Sequence, residues 1–182
     1  MRLYRVGLFT DVYFPNPNGV TTSVYLLLRE LRRMGHEAWV IAPAHPEAPE
    51  NEEGVVRVPS VAYPFYEGQQ IALPSARHLP TEFELVHTHT PLTLGVWGLR
   101  IARNKNLPHV STFHTHYEKY AHYVPGLAFL DKYTGIVPRL AKACYNRVEV
   151  VIAPTEPVKR LAESYGIERP IRVIPTGIDN RL

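Results

Sequence analysis

The hydrophobic pattern of this chain switches repeatedly between short undivided apolar runs and longer stretches with helical spacing, and glycine or proline stands at most of the switches. Few folds accept that alternation, because each apolar run needs cover on both faces. The first cycle is the clearest. Residues 2–10 contain LYRVGLF, rich in β-formers, and read as a strand. A Pro/Asn/Gly loop, DVYFPNPNGV, leads into TTSVYLLLRELRRMGHE, where Val24, Leu27, Leu28 and Leu31 recur at helical spacing. Gly35 fits a left-handed helix stop, and EAWVIAP follows as a second buried strand. Strand, loop, helix, glycine, strand is a βαβ unit, whose crossover is right-handed.

The cycle then repeats with variation. Residues 54–59 predict a third strand, and 84–88, 107–113, 149–154 and 170–175 predict four more. Helical spacing covers 92–105, 127–147 with Pro138 set to kink or divide it, and 156–165 closed by Gly166. Residues 60–80, rich in Pro, Tyr and Gln, fit no element and are too long for a plain connection, which suggests a functional loop. Undivided strands alternating with helices predict an α/β fold, a doubly wound, Rossmann-like parallel sheet. The 182 residues suit a single domain on a scale of roughly 100–200 residues per domain.

Composition narrows the function classes. No apolar run approaches the roughly 18 residues of a membrane-spanning helix, and MRLYRVGLFTDVYFP lacks a secretory pattern. The lone Cys144 forms no internal disulfide, which points to a reducing cytoplasm. A net charge of +3 is too small to predict a nucleic-acid face, although it leaves room for anionic membrane lipids. The 127–147 stretch, with Lys132, Arg139, Lys142 and Arg147 beside Leu127, Leu130 and Leu140, fits either a basic amphipathic helix on such a surface or the solvated face of a core helix.

Open α/β sheets bind ligands outside the carboxyl ends of their strands. The first strand is followed there by Asp11 and by the loop through Asn18 and Gly19 into Thr21 and Thr22. Backbone N–H groups and a helix dipole at that place suit a phosphate, and Gly19 would let it come close. The loop lacks G-x-G-x-x-G, so no dinucleotide is predicted. An ordinary turn with Thr21 or Thr22 capping the helix explains it equally well. Two strand ends carry His-x-His: His87 and His89 in VHTHTP, His114 and His116 in TFHTHY. Each pair shares a strand face, so four imidazoles could gather around zinc or line a polar pocket as neutral groups. With no carboxylate in either pair and no H-E-x-x-H, the polar pocket is expected and no metal. Beyond them, Tyr117, Glu118, Tyr120, His122 and Tyr123 suit a sugar face, a membrane interface or a half-buried helix start.

These pieces together resemble a known family. FTDVYFPNPNGVTTSVYLLLRELRRMGHEAWVIAP, ELVHTHTPLTLGVWGLRIARNKNLPHVSTFHTHYEKYAHY and VIAPTEPVKRLAESYGIERPIRVIPTGID are similar, in order, to the N-terminal domain of the retaining family-4 glycosyltransferases of GT-B architecture. HTHYEKYAHY is also similar to the bacterial 1,2-diacylglycerol 3-glucosyltransferases. The resemblance implies a nucleotide sugar, UDP-glucose, as co-substrate on a C-terminal domain, no separate cofactor, and a lipid acceptor such as diacylglycerol on this one. It implies that the departing diphosphate faces Asn18 and Gly19 and that His114 contacts the transferred sugar as the catalytic residue. His87, His89, His116, Tyr117 and Glu118 would line the acceptor side, with Asp11 and Thr22 near the cleft floor.

Two departures qualify the match. Asn18 stands where many relatives have glycine, and the donor domain's Arg/Lys pair and paired glutamates have no counterpart in the 182 residues. The expectation is a single acceptor-binding domain, inactive without its C-terminal partner domain, cytoplasmic and peripheral on the inner membrane face. The alternatives are a soluble acceptor such as an inositol phosphate or a sugar, a metal-dependent hydrolase built on the His pairs, and a non-catalytic α/β module.

Overall fold

The computed structural model describes residues 2–65, 68–75, 77, 79, 82–114 and 134–177. Its elements in chain order are β1 (Arg5–Phe9), α1 (Gly19–Arg33), β2 (Glu37–Pro43), β3 (Val55–Val58), β4 (Ser60–Ala62), β5 (Gln70–Ala72), β6 (Leu85–Thr88), α2 (Thr93–Lys105), β7 (His109–Thr112), α3 (Ile136–Tyr145), β8 (Val150–Ala153), α4 (Glu156–Ser164) and β9 (Ile171–Val173). Seven strands form one parallel sheet in the order β3-β2-β1-β6-β7-β8-β9. The sequence therefore winds outward from β1 to β3, then returns to β1's other edge and winds away through β9. That is the doubly wound, Rossmann-like topology predicted above.

Strand alternation fills both faces. On one side, Val6, Leu8, Val40 and Ala42 pack with Val24 and Leu28 of α1. On the other, Phe9, Ile41 and Val86 pack with Leu94 and Ala102 of α2. Farther along the sheet, Phe113 and Val151 pack with Tyr145 of α3 and Ala162 of α4. Neighbouring residues Leu8 and Phe9 thus serve opposite cores, as a strand buried on both faces requires. Gly35 and Gly166 end their helices with φ of +87° and +79°. Each carries the backbone through a region that glycine enters without strain.

Three expectations change in detail. Residues 60–80 are not one irregular loop, because β4 and β5 pair antiparallel within them, Val61 opposite Ile71. Three-residue strands are too short to show period two in a sequence. The division expected at Pro138 falls three residues earlier: among the described residues the helical run is broken at Gly135, at φ +57°, and Pro138 lies in the first turn of α3, where its missing N–H has no intrahelical role. The cap of α1 is Asn18, not Thr21 or Thr22: its side-chain oxygen accepts from the N–H groups of Val20 and Thr21, both at 2.9 Å. Thr21 instead donates its hydroxyl to the carbonyl of Asn16. Among the described residues, no helix is long and apolar enough to cross a membrane.

Candidate functional site

Strand order reverses between β1 and β6, so the crevice outside their carboxyl ends is the place where this topology receives ligands. Asp11, just beyond β1, is buried there and ties the two halves of the sheet together. Its carboxylate accepts from the hydroxyls of Thr90 (2.7 Å) and Thr93 (2.6 Å) and from the N–H groups of Leu94 (2.8 Å) and Gly95 (3.3 Å). Its own N–H donates to Thr90 Oγ1. Helix α2 has no side-chain cap of its own at Leu92 and no acidic residue in its first turn. Asp11 supplies both from the far side of the switch point, with negative charge on the positive helix end. Burial raises its pKa, and the surrounding donors oppose that rise.

The oxygens of Asp11 are therefore occupied within the fold. Asp11→Ala is expected to destabilise the chain by about 3 kcal/mol, because several buried donors lose their acceptor at once. A urea midpoint unchanged from the parent, at equal m-value, would remove Asp11 from this structural role.

The histidines gather on one face at the ends of β6 and β7. The rings of His87 and His89 stack with centroids 4.2 Å apart. His89 Nδ1 lies 3.1 Å from His114 Nε2, and His87 Nε2 lies 2.7 Å from Thr112 Oγ1. All three are held neutral. Burial, with repulsion from His114 and His109, pushes His87 down to about 3; burial also takes His114 to about 4 and holds His89 well below its ordinary value. His87 and His89 are buried, whereas His114 is partly open at the strand end. Of the three, His114 is the one open enough to exchange hydrogen bonds with a hydroxyl in the crevice, and an uncharged ring does so without importing a counter-ion. Among the described residues, no three His, Cys, Asp or Glu side chains converge as metal ligands.

Gly19 opens α1 with its Cα facing free space, since a Cβ there would meet nothing within 4 Å. An anion could approach the helix terminus at that point, although the Asn18 side chain already takes two of the N–H groups that a phosphate would use. Thr22 follows in the first turn, half-buried. Beside this loop a recess is lined by Tyr13, His45, Arg57 and Gln69. The hairpin loop reaches into it: Gln69 donates to the carbonyl of Asp11, and Asn16 to that of Gly68.

Asp11, Asn18, Gly19, Thr22, His87, His89 and His114 all lie at carboxyl-end junctions of β1, β6 and β7. The expectations for His116, Tyr117 and Glu118, and for residues 127–133, lie outside the described residues. Sequence reading missed Thr90, Thr93 and Thr112, which hold Asp11 and His87. It also missed His109, whose Nε2 meets Thr88 Oγ1 at 2.9 Å on the opposite sheet face. The signal for Thr90 and Thr93 was their alternation with histidine and proline in VHTHTPLT, and for Thr112 its place just before His114 in STFHTH.

A family model described as Glycosyltransferase Family 4 matches residues 17–182. The chain is 34% identical over 181 residues to the alpha-monoglucosyldiacylglycerol synthase of Streptococcus pneumoniae (strain ATCC BAA-255 / R6), covering 96% of this chain and 41% of that protein. It is 30% identical to the alpha-monoglucosyldiacylglycerol synthase of Acholeplasma laidlawii, over 96% of this chain and 46% of the relative. It is also 36% identical over 121 residues to the GDP-mannose-dependent alpha-mannosyltransferase of Mycolicibacterium smegmatis, covering 61% of this chain and 32% of that protein. The chain thus spans less than half the length of these curated relatives.

Proposed function

The chain belongs to Glycosyltransferase Family 4 and has the Rossmann-like fold of the N-terminal half of GT-B, and we propose that it is the acceptor-binding domain of a retaining hexosyltransferase that moves glucose from UDP-glucose to a lipid hydroxyl such as that of diacylglycerol. It works with a donor-binding domain carried by further sequence, peripherally on the cytoplasmic membrane face. The observation that carries this reading is the cluster of neutral imidazoles, His87, His89 and His114, beside the switch-point crevice. A sugar transferred there meets hydrogen-bonding groups with no charge to solvate. The acceptor hydroxyl attacks the anomeric carbon while the bond to the nucleotide diphosphate breaks, the hydroxyl's proton leaves with the departing phosphate, and configuration is retained. A diphosphate departing beside Gly19, where the backbone faces open space, would gain from the α1 helix dipole as its charge develops. The identity over nearly the whole chain to two glucosyldiacylglycerol synthases supports the lipid acceptor.

The match to a GDP-mannose-dependent enzyme favours a second reading, in which the donor is GDP-mannose. Both are tested with the full-length protein, supplied with either nucleotide sugar and with diacylglycerol vesicles or soluble acceptors, and the products identified by mass. Hexosyl-diacylglycerol from UDP-glucose is expected. Sugar on a soluble acceptor alone would discard the lipid role, and dependence on GDP-mannose would replace the donor. His114→Ala is expected to lower the transfer rate on the order of 100-fold, as loss of one preorganised donor at a reacting centre does. A rate equal to the parent's would take His114 out of the site.

A further inference from the structure

The contact between His89 and His114 limits where their protons can sit. Both rings are neutral, so each carries a single N–H. His89 is 1% exposed, and among the described residues its buried Nε2 has no hydrogen-bond partner. Its Nδ1 meets His114 Nε2 at 3.1 Å, and one of these two nitrogens must donate. If His114 donated, the only proton of His89 would lie on Nε2, an N–H buried with nothing to accept it. If His89 donates from Nδ1, the buried Nε2 keeps only a lone pair. Among backbone groups, a buried donor without a partner is rarer than an under-used acceptor, and the same balance applies to these rings. The second arrangement is therefore favoured. It forces His114 to accept at Nε2 and to carry its proton on Nδ1.

We propose that His89 is a positioning residue that fixes His114 in the Nδ1–H tautomer, so that His114 presents a hydrogen-bond donor, not an acceptor, to an oxygen of the sugar or acceptor in the crevice. The proposal rests on the reading of this crevice as the transfer site and deepens it. Among the described residues, His114 has no other hydrogen-bond partner, and none of them takes its Nδ1. His87, stacked 4.2 Å from His89 and held by Thr112, keeps the His89 ring from turning over. The three rings then form a relay of orientation: Thr112 sets His87, His87 holds His89, and His89 sets the proton of His114.

The test is nitrogen-15 NMR of the ring nitrogens at neutral pH, which separates an N–H from a bare nitrogen at each histidine. It is made on the 182-residue chain and on two variants. The parent is expected to show His114 protonated on Nδ1. His89→Asn, whose amide N–H can stand near the place of Nδ1, is expected to keep that state. His89→Phe removes the donor and is expected to shift His114 predominantly to Nε2–H, the form an imidazole prefers in water. An Nε2–H His114 in the parent overturns the proposal even if neither variant folds. A His89→Phe protein that folds and keeps the parent's tautomer overturns the positioning role. Failure of sugar transfer in the full-length protein would instead defeat the functional reading and leave the tautomer result intact.

Discussion

Gly95→Ala is expected to cost the chain ~4 kcal/mol or more, a large fraction of the stability of an ordinary domain. A Cβ on Gly95 would lie 1.6 Å from the carbonyl oxygen of Thr90, a distance no rotamer can relieve because both partners are backbone. The residue sits in the first turn of α2, and its N–H donates to Asp11. Any shift that relieves the clash moves α2 away from the carboxylate that caps it. Thr90 would move too, and its hydroxyl and neighbouring His89 belong to the same junction. Two costs therefore add, overpacking and loss of a buried charged cap. The measurement is the urea midpoint of the purified variant, with Gly19→Ala beside it. Gly19 also opens a helix, but its Cβ would meet nothing, so a change within about 0.5–1 kcal/mol is expected there. If diphosphate approaches Gly19, that same mild substitution still slows transfer in the full-length protein. A Gly95→Ala midpoint close to the parent's would show that the β6–α2 junction is far more pliable than its geometry implies.

That junction also shows where sequence stops being informative. The parallel sheet, the helices and their glycine stops were legible because they follow from local period and turn chemistry: Leu8 and Phe9 sit in a run apolar on both faces, and Gly35 ends a helix. The grouping of His87 and His89 was legible for the same reason, since residues two apart share a face. The cap on α2 was not, because its acid lies about 80 residues upstream, across the switch point. Only the sheet order brings Asp11 to Leu94. The His89–His114 contact is of the same kind, set by the pairing of β6 with β7. Nor could the sequence separate Asn18 from Thr21 as the cap of α1, since both residue types cap well and their backbone angles decide. What was missed is thus long-range hydrogen bonding between strand ends, and that is where the candidate site lies.

The same buried imidazoles make the chain acid-labile above the usual range of carboxylate titration. His87 is depressed to about 3, His109 and His114 to about 4, and His89 well below its ordinary value, in each case chiefly by burial. In the unfolded chain all four return toward about 6.5. As pH falls below that value the unfolded state binds protons that the folded state refuses, so stability drops with pH until the folded pKa is reached. At pH 5 each buried histidine would have removed up to about 2 kcal/mol, at 1.36 kcal/mol per pH unit. Four together approach the roughly 5–15 kcal/mol that holds a domain folded. Asp11 acts in the opposite sense, because its raised pKa lets the folded state take a proton first as pH falls. One carboxylate offsets only part of four imidazoles. Circular dichroism from pH 7 downward is therefore expected to show unfolding with a midpoint near pH 5, and the urea midpoint to fall continuously from about pH 6.5. His109 tests the origin of the effect apart from the transfer site, since it lies on the opposite sheet face beside Thr88. His109→Gln keeps hydrogen-bonding capacity without a titrating ring and is expected to flatten the acid slope while leaving the histidine cluster intact. A chain with the same urea midpoint at pH 4 as at pH 7 would mean that these imidazoles are hydrated in the folded state, and the neutral crevice would lose its physical basis.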